Sequence, residues 1–342
     1  MSQVVSLKKP NVEEVRKRIS AEAEILGEGS FGIARRVKHP ELGQVVVKSC
    51  KYASRELYLK EIDMLSRFQH PNVISVLDID CSWPWSIIMP GCGNSLRSYI
   101  EDLPVGCPAP EWRRIAKQML DGLAYIHSLY IVHCDIKPEN IVICKKGKVT
   151  VIDVGCAFFD RPGARPGASP NEHSAADIRK EGLVYGTLYY RSPEVFLGFI
   201  QFGSPRDMWA AACVCWELVT QHVLFFVANP KAGPKTMMKL IFGRLGMPDK
   251  NALSWLALCP GWLPDLVAGA TAEARCDFAH FVQAWKANRV TLEQGAWLQS
   301  LFQYSPTMRP TAQQAAVKLR MLGLASPVSP AGTLAASTPP AM

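Results

Sequence analysis

The chain has no long uninterrupted apolar run. Its most apolar stretch, Met208 to Val227, is broken by Glu217, Gln221 and His222, so it reads as a buried helix and not as a membrane span. The leading segment MSQVVSLKKPNVEEVRKRIS has no apolar centre followed by a cleavage site, and secretion is not expected. No dense block of lysine and arginine is present. The formal charge of +8 over 342 residues is spread along the chain. It suits a mildly basic surface that draws phosphates or acidic groups, not a nucleic-acid stripe. The eleven cysteines are scattered, with Cys213/Cys215 the only close pair. That argues against a structural zinc site and for free thiols in a reducing compartment, the cytoplasm or nucleus. No internal repeat is visible. What the chain does have is core: 48% of its residues are apolar, enough for one large domain or two lobes with a cleft between them.

The pattern changes along the chain. Residues 1–20 are polar and read as a leading helix or arm. Glu24 to Cys50 is strand-like, with glycine-rich and His-Pro-Glu turns. Glu56 to Phe68 repeats Leu57, Ile62, Leu65 and Phe68 near helical spacing, and His70-Pro71-Asn72 ends it. Val73–Ile79 and Trp85–Met89 read as two further strands. After Gly91, Trp112–Tyr130 and Ser204–Thr220 read as buried helices. The short strands Ile141–Cys144 and Val149–Ile152 flank a turn between them. Residues 161–176 form a Gly/Pro-rich loop, and residues 323–342, low in charge and rich in Ser, Pro and Ala, are expected to be disordered.

Three segments carry chemistry when taken in order. Gly27-Glu28-Gly29-Ser30-Phe31-Gly32 lets backbone N–H groups approach phosphate oxygens closely. A strand follows it and not the apolar helix of a dinucleotide-binding fold. Lys48 ends the apolar strand Val45-Val46-Val47, sixteen residues after Gly32, within reach of phosphates beneath that loop. In His133-Cys134-Asp135-Ile136-Lys137-Pro138-Glu139-Asn140, Asp135 can orient a hydroxyl and take its proton, and Lys137 can offset charge on a moving phosphoryl group. Asn140 and Asp153 of Asp153-Val154-Gly155 offer hard oxygen ligands to magnesium.

Together these segments resemble the protein-kinase signature set, in the family's order, over nearly all of residues 21–322. The resemblance implies an α+β, two-lobed fold: a small β-rich lobe with one main helix over 21–89, then a larger mostly helical lobe over 90–322. It places the activation segment at 153–194. It also implies ATP and Mg2+ as cofactors, with Ala34 and Val46 above the adenine and Val142 below. Glu61 corresponds to the helix carboxylate that pairs with Lys48. Thr187 borders the substrate groove. Asp207 anchors the catalytic loop, and Glu194 pairs with Arg309. Lys137 and Thr187 are similar to the serine/threonine branch, and Tyr190-Arg191-Ser192-Pro193-Glu194 resembles the cyclin-dependent and MAP kinase group. The implied partners are protein substrates and a regulatory protein, though no cyclin-binding sequence is present. Nucleic acid, membrane and self-association are not implied. The same five residues motivate an expected preference for proline after the phosphorylated residue.

The chain departs from the family in four places. Cys134 replaces the usual arginine, so a phosphate on the 161–176 loop, at Ser169 or Ser174, is expected to lose its main partner unless Arg179 or Lys180 substitutes. Val154 replaces phenylalanine in the apolar column of Leu65, Val76, His133 and Val154. A large-to-small change of that kind costs ~2–4 kcal/mol when nothing compensates. Ala34 and Val46 exchange the usual small and large residues and so keep the total volume. Two rival functions remain: a pseudokinase scaffold, which would ordinarily lack one of Lys48, Asp135, Asn140 or Asp153, and a small-molecule kinase, which would lack the Thr187-to-Glu194 segment and Arg309.

Overall fold

The computed structural model describes residues 12–28, 32–50, 55–82, 85–91, 93–160, 186–199, 203–267 and 292–322. The first lobe runs α1 (Val12–Glu22), β1 (Glu24–Glu28), β2 (Gly32–His39), β3 (Gly43–Cys50), α2 (Arg55–Ser66), β4 (Asp78–Asp80) and β5 (Ser86–Pro90). Its five strands form an antiparallel sheet ordered β1-β2-β3-β5-β4. Alternation along β3 buries Val45 and Val47 and leaves Val46 and Lys48 on the opposite face, the period-two signature of a strand. Val45 and Val47 form a small core with Val37, Leu77, Ile88 and Val15 of α1. The leading helix expected in residues 1–20 therefore runs on to Glu22 and caps the back of this sheet, so a boundary at 20/21 falls inside it.

The strand expected over Val73–Ile79 is ladder-paired only at Asp78–Asp80. Upstream the chain leaves the sheet to reach the second lobe. Val73 bridges Val151 in parallel, Ile74 N–H donates to the Val151 carbonyl at 2.9 Å, and Asn72 Nδ2 donates to the Val149 carbonyl at 2.7 Å. The turn that ends α2 is thus pinned to the strand that leads into Asp153.

The second lobe contains β6 (Asn94–Ser95), α3 (Leu96–Glu101), α4 (Ala109–Ser128), β7 (Ile131–Val132), β8 (Ile141–Ile143), β9 (Val149–Val151), β10 (Phe158–Phe159), α5 (Pro193–Phe196), α6 (Pro205–Thr220), α7 (Pro234–Leu245), α8 (Lys250–Leu256), α9 (Leu292–Leu301) and α10 (Ala312–Met321). Helix α4 buries Trp112, Ile115, Met119, Leu123 and Ile126 along one stripe, as its three-to-four spacing predicts. Helix α6 is buried nearly all round, which marks it as the centre of the lobe. Thr311 and Gln314 form a reciprocal capping box at the start of α10. The tail at 323–342, the 161–176 loop and Ser169, Ser174, Arg179 and Lys180 lie outside the described residues.

Glu194 of α5 and Arg309 form a two-pronged ion pair at 2.6 and 2.7 Å, with both side chains at 0% exposure. The guanidinium also donates to the Gln303, Tyr304 and Pro205 carbonyls and lies over Trp209. Such a pair adds little over an apolar one, but breaking it strands a buried charge at a cost of ~3–5 kcal/mol. Arg309→Leu is expected to destabilise by about that amount, seen as a large fall in thermal midpoint. Adding Glu194→Leu is expected to recover part of the loss.

Candidate active site

The residues that the sequence marks for nucleotide and metal binding converge on one cavity of about 880 Å³ between the lobes, whereas Asp135 lines a smaller pocket that shares Thr187 with it. The walls of the larger cavity include Gly27, Glu28 and Gly32 from the β1–β2 turn. Gly29, Ser30 and Phe31 lie outside the described residues. Gly32 has a packing reason to be glycine: a Cβ there would stand 2.4 Å from the Ser49 carbonyl oxygen of β3. Ala34, Val46 and Val142 all line the cavity with Met89, an apolar setting for a flat base. The cavity also reaches Leu65 and Ile74. Of the expected apolar column, Leu65, His133 and Val154 are fully buried, and Val76 packs against the same core.

Lys48 Nζ meets Glu61 Oε1 at 2.6 Å and Asp153 Oδ1 at 2.7 Å. Burial works against the lysine's charge, but the two carboxylates outweigh it and hold the pKa above its ordinary value. Burial also acts on both acids. Glu61 is pushed up despite Lys48, whereas Asp153 is held below its ordinary value by Lys48. Asp153 therefore enters the cavity as an anion, from a left-handed backbone of φ 62°. Its Oδ2 and the Oδ1 of Asn140 carry no hydrogen bond among the described residues. These are two hard oxygens that fit a magnesium ion.

Asp135 is surrounded on every side. Its Oδ1 accepts the Thr187 N–H and the Thr187 hydroxyl, each at 2.8 Å. Its Oδ2 takes Asn140 Nδ2 at 3.0 Å and Lys137 Nζ at 2.7 Å. Lys137 Nζ also donates to Thr187 Oγ1 at 2.9 Å. A carboxylate, an ammonium and a hydroxyl acceptor thus share one point.

The loop carrying Asp135 is held from below. Asp207, buried at the start of α6, accepts the N–H groups of His133 at 2.8 Å and Cys134 at 2.9 Å, and pairs with His127 Nε2 at 2.9 Å. Burial opposes ionisation of Asp207, yet these donors keep its pKa below the ordinary range. Cys134 sits at φ 69°, a conformation that β-carbons resist.

At Cys134 the structure departs from expectation. The position does lack an arginine of its own, but the Nη1 of Arg206, next to Asp207, lies 3.5 Å from Cys134 Sγ, and its guanidinium lies over Phe158. A buried cation therefore stands where only a neutral thiol was expected. Burial pushes the thiol pKa up to about 12, though Arg206 opposes the rise. The thiol is protonated at neutral pH and is poorly placed to sense oxidants. No motif pointed to Arg206; the only signal was its position beside Asp207. Arg191 was read only as part of a motif, yet its Nε donates to the Gly186 carbonyl at 2.7 Å. Gly186 has φ 97°, and a Cβ there would lie 2.5 Å from the Cys134 carbonyl oxygen, so two constraints demand glycine.

Among the described residues no group of three or more His, Cys, Asp and Glu side chains forms a metal site, and no helix is long and apolar enough to cross a membrane. The fold is similar to that in the crystal structure of the yeast RNA Pol II CTD kinase CTDK-1 complex, with a TM-score of 0.71 and 23% identity over 86% of this chain and 90% of that one. The family model for the protein kinase domain matches residues 20–318. With that match spanning the cavity, the Asp207-held loop and the Glu194–Arg309 pair, the chain belongs to the protein kinase domain family.

Proposed function

We propose that the chain is an ATP- and magnesium-dependent protein serine/threonine kinase, with Asp135 and Lys137 as catalytic residues. The observation that carries this reading is the Thr187 hydroxyl, which donates to Asp135 Oδ1 while accepting from Lys137 Nζ. An aliphatic hydroxyl fits this acid–cation pair, as a substrate serine or threonine must. Bound MgATP supplies the phosphoryl group and neutralises its charge. The chain's own residues do the rest. Asp135 orients the incoming hydroxyl and accepts its proton, and Lys137 offsets negative charge at the same point. Lys48, held by Glu61, faces the phosphate end of the cavity, and Asn140 and Asp153 present the metal-binding oxygens. The presence together of Lys48, Asp135, Asn140 and Asp153 weighs against a pseudokinase scaffold. The Thr187-to-Glu194 segment, tied down by Arg309, favours a protein substrate over a small molecule. The nine described cysteines are free thiols, which supports a cytoplasmic or nuclear setting.

The geometry also supports the proline preference. The Gly186 carbonyl is already taken by Arg191. A substrate N–H on the residue after the hydroxyl has no acceptor there, and a buried unpaired donor costs ~1–3 kcal/mol. Proline has no N–H to leave unpaired.

Three outcomes are expected. Asp135→Asn should lower phosphate transfer by roughly a hundred- to ten-thousand-fold while nucleotide binding stays near normal; near-normal turnover in a radiolabel assay rejects the role given to Asp135. A Ser-Pro peptide should be used about tenfold better than its Ser-Ala counterpart. Arg191→Ala, which releases the Gly186 carbonyl, should shrink that ratio, and equal kcat/KM values for both peptides with the unaltered enzyme reject the proline reading.

A further inference from the structure

A second cluster of charged groups lies beside the transfer site, and the chemistry above does not use it. Arg97, on α3, reaches three partners at once. Its Nε donates to Glu139 Oε1 at 2.8 Å, its Nη1 pairs with Glu217 Oε1, and its Nη2 donates to the Tyr190 hydroxyl at 3.0 Å. Tyr190 in turn donates to Glu217 Oε2 at 2.7 Å. The ring joins α3, the catalytic loop, α6 and the segment ending in Glu194.

The two acids differ in setting. Glu217 is 1% exposed, so its charge must be met inside the protein. Glu139 is 45% exposed. It follows Lys137 by two residues and lines the same cavity as Lys137 and Thr187. A structural counter-ion for Glu217 alone needs no fork to Glu139, and an exposed pair of the Arg97–Glu139 kind adds little stability. Burial works against the charge of Arg97, and its bonds to Glu217 and Glu139 outweigh that and raise its pKa. What the fork does accomplish is occupancy: it takes up Glu139 at the edge of the cleft and, through the same guanidinium, the buried Glu217 behind it.

We infer that Arg97 is a specificity-determining residue. It fills the Glu139–Glu217 pair with the chain's own guanidinium and so denies that pair to a basic side chain of the substrate. This rests on the kinase reading above. The enzyme as it stands has no use for an arginine in its peptide near this pair. Without Arg97, Glu139, on the loop that carries Asp135, and Glu217 behind it are left unneutralised and present a bidentate cation acceptor.

The test uses a Ser-Pro peptide and a set in which a single arginine is stepped through the positions around the serine. The unaltered enzyme is expected to show kcat/KM within about twofold of the parent peptide for every member. R97A is expected to gain about tenfold at one or two neighbouring positions, the size of one charge-assisted contact. That gain should shrink as ionic strength rises and disappear in R97A/E139Q. R97K, which keeps the charge, should resemble the unaltered enzyme. If thermal melting shows that R97A does not fold, R97Q, which can still hydrogen-bond Glu217, gives the same readout. An unmoved ratio at every position, or a gain that survives E139Q, overturns the inference. The kinase reading stands in both cases, because transfer to the parent peptide is its own control. Failure of the unaltered enzyme to phosphorylate any peptide overturns both.

Discussion

The buried carboxylate of Asp207 is the constraint on which the site depends. It accepts two consecutive backbone N–H groups, those of His133 and Cys134, and a third donor from His127. Holding Cys134 left-handed costs ~1–2 kcal/mol, and two charge-assisted bonds offset that strain. This bend turns the next residue, Asp135, toward Thr187, Lys137 and Asn140. Because Asp207 sits on a helix buried nearly all round, the loop carrying Asp135 takes its position from the core of the second lobe and not from its own short sequence.

The second half of the site comes from the other lobe. Lys48 is carried by β3 and Glu61 by α2, yet the lysine reaches across to Asp153. That contact depends on how the lobes are joined. Asn72 and Ile74, just after α2, are hydrogen-bonded to β9, so the helix bearing Glu61 and the strand leading to Asp153 share a fixed point. The three charges also stabilise one another unequally. Lys48 keeps Asp153 ionised, while burial pushes Glu61 toward its neutral form.

Two local exchanges show how the chain redistributes what it needs. The cation absent from residue 134 is supplied by Arg206, one residue before Asp207, so the same segment that bends the loop also carries a guanidinium to its thiol. At the cleft edge, Arg97 supplies a cation to acids from two different elements. In both places a charge is placed by a residue distant in sequence from the group it faces.

The sequence by itself determined the family resemblance and the two-lobed fold class, and it nominated the candidate site residues. Short motifs sufficed, because the chemistry of phosphoryl transfer demands particular groups at fixed local spacing: glycines before Lys48, then Asp135, Lys137 and Asn140 within one loop. Helical spacing located α2; α4 was legible from its apolar content and buries one stripe, and α6 was legible from its nearly unbroken apolar run. The apolar pattern overextended β4, since Val73 and Ile74 are apolar where the chain crosses to β9 of the second lobe and not where it pairs in the first-lobe sheet. The lobe boundary also fell inside α1, whose buried Val15 packs on the first-lobe sheet. Only the tertiary structure decided the roles of Arg206, Arg191 and Arg97. Each acts on a group 5 to 120 residues away, and a lone arginine in sequence carries no mark of which carboxylate, carbonyl or thiol the fold will bring to it.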